Sequence, residues 1–213
     1  MTNFIPIFPL SIIVFPGETL NLHIFEPRYK QLIRECVDQK KPFGIPAVVN
    51  KELKDLGTLI EITAIKQVYE DGKMDISTRG IKVFRLLEVL KEVPDKLYSG
   101  AIVTYPEDED DGNRTLMQQV VKGIKELHKL LQVSKDFKKP EEELKAFDVA
   151  HHIGLNIEEE YELLGLFREA QRQEYLKRHL GKVIPLLTEM ESLKDKVKLN
   201  GHFRNLESFN FDL

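Results

Sequence analysis

Apolar and polar residues alternate in short segments up to about residue 106 and recur at helical spacing after about residue 112. Leu20, Leu22 and Ile24 share one face of a predicted strand, and Asn21 and His23 lie on the other. In the second stretch Leu, Glu and Lys predominate, and apolar residues are three or four positions apart, which is typical of amphipathic helices. We therefore expect an α+β protein whose β-rich part precedes its helical part.

Turn residues divide the first stretch into strands. Pro16-Gly17 predicts a turn, and Asp71-Gly72 between alternating segments predicts a β-hairpin. The return strand of this hairpin has three residues on one face: Met74, Ile76 and Thr78. Gly80 then permits a bend or a bulge. Further strands are expected over residues 43–49, 57–65, 83–89 and 98–105. Several short strands with many corners predict a curled, barrel-like sheet.

One helix is predicted within the β-rich part, from Pro27 to about Gln39, because proline suits the first turn of a helix. Its buried face is expected to include Tyr29, Leu32, Ile33, and Cys36 or Val37. The aromatic rings of Phe25 and Tyr29 are expected to pack into the core. Glu26 and Arg28 flank Pro27 and predict either a hydrogen-bonded clamp at this corner or a direct contact with a partner.

The second half predicts several helices. A stripe at helical spacing predicts the first of them: Leu116, Val120, Ile124, Leu127 and Leu131. Pro140 followed by three glutamates predicts the start of another, with Leu144, Phe147 and Ala150 on its inner face. Asn156 and Glu159 have the spacing of a capping box. A longer stripe is interrupted by Pro185, where we expect a kink or a new helix: Leu176, Leu180, Val183, Leu187, Met190 and Val197.

The predicted organisation is a β-rich subdomain over residues 1–106, a helical subdomain over 112–199 and a tail over 200–213 that carries three phenylalanines. The acidic run Glu107–Asp111 is expected to be a solvated linker or loop, since like charges repel; the alternative is a cation site. The tail is expected to dock on a groove of its own chain or of a neighbour.

Composition narrows the classes of function. A net charge of −4 argues against nucleic-acid binding, which needs a clustered basic surface. No apolar run reaches the length of a membrane span, and the first residues lack the features of a signal peptide, so we expect a cytoplasmic protein that does not enter membranes. The single cysteine, Cys36, is expected to be a small residue on a helix face, with a catalytic thiol as the alternative.

The search for catalytic patterns finds none. Gly72-Lys73 and Gly181-Lys182 lack the Ser or Thr of a phosphate-binding loop, and there is no Gly-x-Ser-x-Gly elbow. His151 and His152 diverge by about 100° if they lie on a helix, which favours a satisfied or solvated pair over a metal site. We therefore predict no catalytic residue, no metal and no cofactor, although catalytic residues that meet only in the fold would escape this search.

The opening residues 5–29, from Pro-Leu through Phe-Pro-Gly to Ile-Phe-Glu-Pro-Arg-Tyr, resemble the start of the N-terminal domain of Lon proteases. The segment Gly57–Ile62 is similar to the family's Gly-Thr-x-x-x-Ile strand, and residues 71–85 resemble its Asp-Gly hairpin and the Arg-Phe-Arg that follows, with Lys82–Arg85 departing from the pattern. Residues 150–164 resemble the helical segment that comes next, so the likeness extends from about Ile5 to about Leu180.

The resemblance implies a PUA-like β-barrel subdomain followed by a helical bundle that engages substrate polypeptides or mediates assembly. Lon proteases continue into ATPase and protease modules whose patterns this sequence lacks, so a free-standing, non-catalytic module is expected. The leading hypothesis is that it binds unfolded or extended polypeptide, or a protein partner, and self-association is left open. RNA or nucleotide binding through the barrel is the alternative, and a small-molecule hydrolase with an unrecognised site is a third.

Five residues of the family motifs are predicted to lie near a partner surface: Glu18, His23, Glu26, Arg28 and Arg79. His23 is on the polar side of its strand and is expected at the surface. If the barrel binds a partner, these residues are the first to test.

Overall fold

A computed structural model describes residues 3–202, and it describes side chains up to Val197. The β-rich part consists of six strands and one helix: β1 (Asn3–Pro6), β2 (Thr19–Ile24), α1 (Pro27–Gln39), β3 (Phe43–Val49), β4 (Glu52–Val68), β5 (Met74–Leu90) and β6 (Gly100–Thr104). The helices that follow are α2 (Arg114–Leu131), α3 (Ala146–Val149), α4 (Ile157–Leu164) and α5 (Glu169–His202).

The sheet is built around β5, which pairs with β4 along one edge and with β6 and then β2 along the other. All of these pairings are antiparallel, in the order β1-β6-β5-β4-β3. Parallel bridges join Ile7 to Gly44 and Leu10 to Ala47, so the segment after β1 returns to β3 and the sheet curls round. The predicted curled sheet with a helical subdomain is confirmed. The two strands predicted after the hairpin are one strand, since β5 runs without a break through Gly80.

Gly80 marks the predicted bulge. Leu59 is opposite Lys82 and Ile60 is opposite Gly80, so one residue of β5 is left without a partner. A Cβ atom at Gly80 would lie 2.3 Å from the carbonyl oxygen of Phe15, which no side chain tolerates. The absence of a side chain at Gly80 therefore lets the loop before β2 cross directly over β5.

The helix α1 begins at Pro27 and buries Tyr29, Leu32, Ile33 and Cys36, as predicted. The prediction for Phe25 is wrong, because its side chain is 57% exposed. Phe25 follows the last residue of β2 at the corner that turns into α1, and the core beneath this corner is already filled by the stacked rings of Phe8 and Tyr29, whose centroids are 3.8 Å apart.

The helical part follows the predicted stripes with two corrections. The stripe of α2 is buried except at its ends, and Asn156 with Glu159 forms the predicted capping box of α4. Pro140 begins only a 3₁₀ turn over Glu141–Glu143, and the four-residue α3 follows, although Leu144 and Ala150 are buried as expected. Of the two alternatives expected at Pro185, a kink or a new helix, the new helix is absent, since α5 continues through this proline. Within residues 3–202, no helix is both long and apolar enough to cross a bilayer.

The acidic run is mostly exposed, as expected of a solvated loop, but several of its carboxylates also form ion pairs that the sequence does not predict. Asp108 pairs with Arg172 at 2.6 Å, Asp111 pairs with Arg168 at 2.6 Å, and Glu109 forms a backbone bridge with Arg168. The oxygens of Asp111 also accept a hydrogen bond from the backbone N–H of Ala170 in the first turn of α5, which lowers the pKa of Asp111. The repulsion between these acids is offset because the start of α5 supplies two guanidinium groups and a positive helix end.

The main hydrophobic cluster contains residues of both parts. Five of its residues come from the β-rich part: Ile13, Phe15, Ala47, Val49 and Leu56. They pack against the buried faces of α2 to α5, and the rings of Phe15 and Phe147 stack with their centroids 5.0 Å apart. The two parts are therefore held together by a common core.

Candidate functional site

Three paired strand segments extend from the curled sheet, and together we call them the ribbon. The segments are β2, residues 74–79 of β5 and residues 61–68 of β4. The register places His23 opposite Asp75, and Arg79 opposite both Thr19 and Glu61. Since side chains alternate along a strand, one face of the ribbon packs on the core and the other faces solvent.

The outer face of the ribbon carries a hydrogen-bonded polar network. Arg79 Nε donates to Glu61 Oε1 at 2.7 Å. Asn21 Oδ1 accepts hydrogen bonds from Lys66 Nζ at 2.9 Å and from Ser77 Oγ at 3.0 Å. The cationic groups on this face therefore already have partners within the chain.

Aromatic rings gather at the end of the ribbon that leads into α1. The His23 ring lies 6.1 Å from the ring of Phe25 and 5.9 Å from the ring of Tyr69. Both His23 and Tyr69 contact the same carboxylate: His23 Nδ1 is 2.6 Å from Asp75 Oδ1, and the Tyr69 hydroxyl donates to Asp75 Oδ2 at 2.7 Å. These two contacts, that of Tyr69 first, lower the pKa of Asp75. Phe25 is therefore an exposed apolar side chain beside a fixed polar group.

The corner after Phe25 carries the predicted clamp. Arg28 Nε donates to Glu26 Oε2 at 2.8 Å, and its guanidinium lies 4.5 Å from the centre of the Tyr29 ring. Both side chains of the clamp remain partly exposed. The clamp fixes the turn from β2 into α1 and so fixes the direction in which Phe25 points.

The outer edge of β2 has no strand beside it within residues 3–202. The backbone N–H of Gly80 donates to the carbonyl of Glu18, and Leu20 is opposite Thr78 two residues further on. Because hydrogen-bonded pairs alternate in an antiparallel ladder, the odd-numbered residues of β2 turn their N–H and C=O groups away from β5. Those residues are Thr19, Asn21 and His23, and the register of β2 with β5 has no bulge.

A groove of about 430 Å³ lies at the opposite edge of the ribbon. Its apolar walls come from α1, the loop before β3, β4 and β5: Cys36, Val37, Pro42, Ile62, Ile65 and Ile81. Burial, and then the nearby Glu35, raises the pKa of the Cys36 thiol to about 12. This thiol is therefore protonated at neutral pH, which argues against the catalytic alternative because the thiolate is the nucleophile.

A cleft of about 800 Å³ lies between α2, the turn after Pro140 and the start of α5. Four of its charged side chains form two ion pairs: Lys125 with Glu141 at 2.6 Å, and Lys145 with Asp110 at 2.5 Å. Glu169 in its wall accepts hydrogen bonds from the backbone of Ala146 and from the side chains of Arg172 and Gln173. The cleft thus offers substrate no unpartnered pair of acid and base among these groups.

Glu18 lies apart from the other four predicted residues. Its Oε2 accepts a hydrogen bond from the backbone N–H of Phe15 and lies 3.1 Å from Nε2 of His151, at the contact between the two parts. The neighbouring His152 turns away and stacks near His128 and Phe137. Within residues 3–202, no three His, Cys, Asp or Glu side chains are arranged to hold a metal ion.

The structure thus gathers His23, Glu26, Arg28 and Arg79 along the ribbon and its corner. Three residues of the same surface are not among the predicted site residues: Phe25, Tyr69 and Asp75. The alternation along β2 and the Asp71-Gly72 turn place each of them on a strand or at a corner. The pairing of β2 with β5, across more than 50 residues, is what brings them together.

A curled antiparallel sheet followed by a helical subdomain is the architecture of Lon N-terminal domains. The family model of the ATP-dependent protease La (LON) substrate-binding domain matches residues 5–182, and this chain belongs to that family.

Two solved structures with low sequence identity share the fold. The Lon N-terminal domain protein from Xanthomonas campestris has a TM-score of 0.62 and 23% identity, and the match covers 82% of this chain and 96% of that one. The N-terminal domain of Mycobacterium avium complex Lon protease has a TM-score of 0.60 and 14% identity, and the match covers 85% of this chain and 100% of that one.

Two longer proteins match parts of the sequence. Lon protease of Parabacteroides distasonis is 32% identical over 133 residues, which are 58% of this chain and 16% of that protein. Protein cereblon of Gallus gallus is 28% identical over 90 residues, which are 40% of this chain and 20% of that protein. The chain therefore corresponds to only a small part of each of these proteins.

Proposed function

We propose that this protein is a non-catalytic module that binds unfolded or extended polypeptide along the outer edge of β2, with Phe25 as an apolar anchor. One observation carries the proposal: an exposed phenylalanine stands at the end of β2, a strand without a bulge whose outer side has no neighbouring strand within residues 3–202. Membership of a substrate-binding family supports a polypeptide as the ligand.

The edge of β2 suits recognition of the peptide backbone. Thr19, Asn21 and His23 each turn one donor and one acceptor outward, so an added antiparallel strand gains up to about six backbone hydrogen bonds. These bonds do not depend on the side chains of the ligand. A module that accepts many unfolded sequences needs recognition of this kind.

Phe25 adds affinity by burying apolar surface. Covering a phenylalanine fully contributes about 1.5–3 kcal/mol, and aromatic residues that are fixed in position lose little entropy on binding. The contacts of His23 and Tyr69 with Asp75 hold the neighbouring rings in place. We therefore expect a preference for segments that present an aliphatic or aromatic side chain beside Phe25.

The alternative of RNA binding has less support. On the outer face of the ribbon, Arg79 pairs with Glu61 and Lys66 contacts Asn21, while Arg28 pairs with Glu26 at the corner. Phosphate contacts would have to compete with these partners. A cytoplasmic setting remains part of the proposal, as the composition predicts.

The proposal is tested with the full chain and a fluorescently labelled, reduced and carboxymethylated α-lactalbumin as the unfolded probe. Phe25→Ala is expected to raise the dissociation constant about tenfold, whereas Leu97→Ala, at another exposed apolar residue, changes it less than about twofold. Asn21→Pro removes one outward N–H and is therefore expected to weaken binding more than Asn21→Ala. The fold should be retained, because prolines are tolerated at strand edges.

Absence of binding by the unaltered chain at about 100 μM would overturn the proposal. If Phe25→Ala and Leu97→Ala change the dissociation constant equally, Phe25 is not the apolar anchor. Tighter binding of an RNA oligonucleotide, with a steep dependence on salt, would favour the alternative instead.

A further inference from the structure

The second half of α5 carries an apolar stripe that the other described residues leave exposed. Every residue from Thr188 to Val197 is exposed. The stripe is formed by four side chains that are each between 56% and 64% exposed: Leu186, Met190, Leu193 and Val197. It begins after residue 182, where the match to the family ends, so the binding role of the family gives no reason for it.

The spacing of the stripe is that of a coiled-coil seam. Its members are separated by four, three and four residues, which is the alternation of the a and d positions of a heptad. Thr188, Glu191 and Ser192 lie between them and are polar. A helix with one narrow apolar seam and polar flanks packs stably against a second helix of the same kind.

We propose that a second copy of this chain covers the stripe, in an antiparallel pair of α5 helices related by a two-fold axis. In this pair Leu186 packs against Val197 of the second copy, and Met190 packs against Leu193 of the second copy. All four apolar positions of each copy are then matched. A two-fold arrangement uses the same surface on both subunits, so it closes as a dimer.

The charges beside the stripe fit the antiparallel register. Glu189 and Lys196 occupy the same flanking position of successive heptads, the position that pairs with its own equivalent when two helices run antiparallel. Glu189 of each copy then faces Lys196 of the other, which gives two equivalent ion pairs. Neither side chain has an ion-pair partner within the described part of its own chain that would compete.

The shape of the molecule also favours the antiparallel pair. The first half of α5 is packed in the body through Leu176 and Leu180, and only the second half projects. Helices in such pairs lie about 8–10 Å apart, so a parallel pair would bring both bodies to the same end of the seam. The antiparallel pair places them at opposite ends. Leu131, about half exposed at the end of α2, adds apolar surface near Met190.

The register is tested by sedimentation equilibrium of the full chain with Glu189→Lys and Lys196→Glu. The unaltered protein is expected to dimerise with a dissociation constant in the micromolar range. Each single variant places two lysines, or two glutamates, opposite each other and is expected to raise that constant at least about tenfold. An equimolar mixture of the two variants, and the double variant, are expected to restore it, because opposite charges again face each other.

The folded state is monitored by circular dichroism, which should not change because both positions are exposed. A monomer at about 200 μM would overturn the proposal, as would single variants that dimerise like the unaltered chain. If Glu189→Lys is complemented by Lys194→Glu and not by Lys196→Glu, the helices are parallel and the proposed register is wrong. If the unaltered chain is monomeric and the double variant Phe209→Asp, Phe211→Asp dimerises, then the tail of the same chain covers the stripe and the proposal fails. The lactalbumin assay is independent of these variants, so failure here leaves the binding proposal untouched.

Discussion

His151 Nε2 lies 3.1 Å from Glu18 Oε2, and the other ring nitrogen of the same histidine lies 2.9 Å from Glu160 Oε1. Glu18 directly precedes β2, whereas Glu160 belongs to α4. One imidazolium therefore joins the β-rich part to the helical part, and the two carboxylates, that of Glu160 first, raise the pKa of His151 to about 9.

The first prediction concerns stability above neutral pH. The pKa of His151 is above its ordinary value of 6.5. The stability that its imidazolium adds to the folded state is therefore fully present below pH 6.5 and is lost as pH rises through 9. The free energy of unfolding should fall over this interval by about 1–2 kcal/mol, a value discounted because the side chain is still partly exposed. Urea denaturation of the unaltered chain and of His151→Gln at pH 6.5, 8 and 9.5 measures it. A parallel decline in the variant would contradict the assignment.

His152 provides the contrast for this experiment. Burial, and then the charge of Lys135, lowers its pKa to about 4. The unfolded chain therefore binds the extra proton between pH 6.5 and 4, so this residue reduces stability as pH falls. His152→Phe should remove that acid-side decline and leave the alkaline one intact.

The second prediction concerns Arg172. Its guanidinium is only 4% exposed and bridges Glu169 and Asp108 while stacking on the ring of Phe147. Arg172→Met should lower the free energy of unfolding by about 3–5 kcal/mol, because the buried carboxylate of Glu169 loses its only cationic partner among the described residues. Chemical denaturation measures the change. Arg168→Met is the control, since Arg168 pairs with Asp111 in a half-exposed position and should contribute less than about 1 kcal/mol.

The third prediction compares two glycines. A Cβ atom on Gly57 would lie 2.5 Å from the carbonyl oxygen of Ile45 and 2.6 Å from the ring of Phe84, so β4 approaches β3 only because the side chain is absent. Gly57→Ala should destabilise the protein by about 2 kcal/mol or more. Gly181→Ala meets open space within α5 and should stabilise it by about 0.5–1 kcal/mol. The midpoint temperature of thermal unfolding of each variant, compared with that of the unaltered chain, measures both effects. If the two midpoints shift in the same direction, the packing described for these glycines is wrong.

The fourth prediction concerns the thiol of Cys36. Because its pKa is raised to about 12, little thiolate is present at pH 8. We expect the native chain to react with a chromogenic disulfide reagent at least about 100-fold more slowly than the chain unfolded in guanidinium chloride. Rapid labelling of the native protein would show that the groove beside α1 opens far more often than its packing implies.

Local patterns were sufficient for the elements whose signals lie within a few residues. The Asp71-Gly72 turn is present with Gly72 at a φ of +75°, and the capping box of α4 and the first turn of α1 are as predicted. The helix predicted at Pro140 does not continue beyond its first turn. The three glutamates after Pro140 form that turn, but the chain then changes direction, and Leu144 and Ala146 are buried in the core.

Long-range pairing explains the remaining errors. Phe25 was expected in the core because nothing within its own segment shows that Phe8 and Tyr29 already fill the space beneath it. The ion pairs of the acidic run could not be predicted because its cationic partners, Arg168 and Arg172, come about 60 residues later. The candidate site shows the same limit. The strands that carry the predicted site residues follow from local patterns. The neighbours of His23, namely Asp75 and Tyr69, depend on the register between β2 and β5.

The core common to both parts has a consequence for how the chain is synthesised. All six strands have left the ribosome once Thr104 emerges, yet Phe15, Val49 and Leu56 still lack the helices that cover them. At synthesis rates of about 5–20 residues per second, several seconds pass before Leu180 follows and closes that surface. During this interval the nascent β-rich part exposes apolar surface, and a fragment that ends near residue 106 should therefore aggregate when expressed alone.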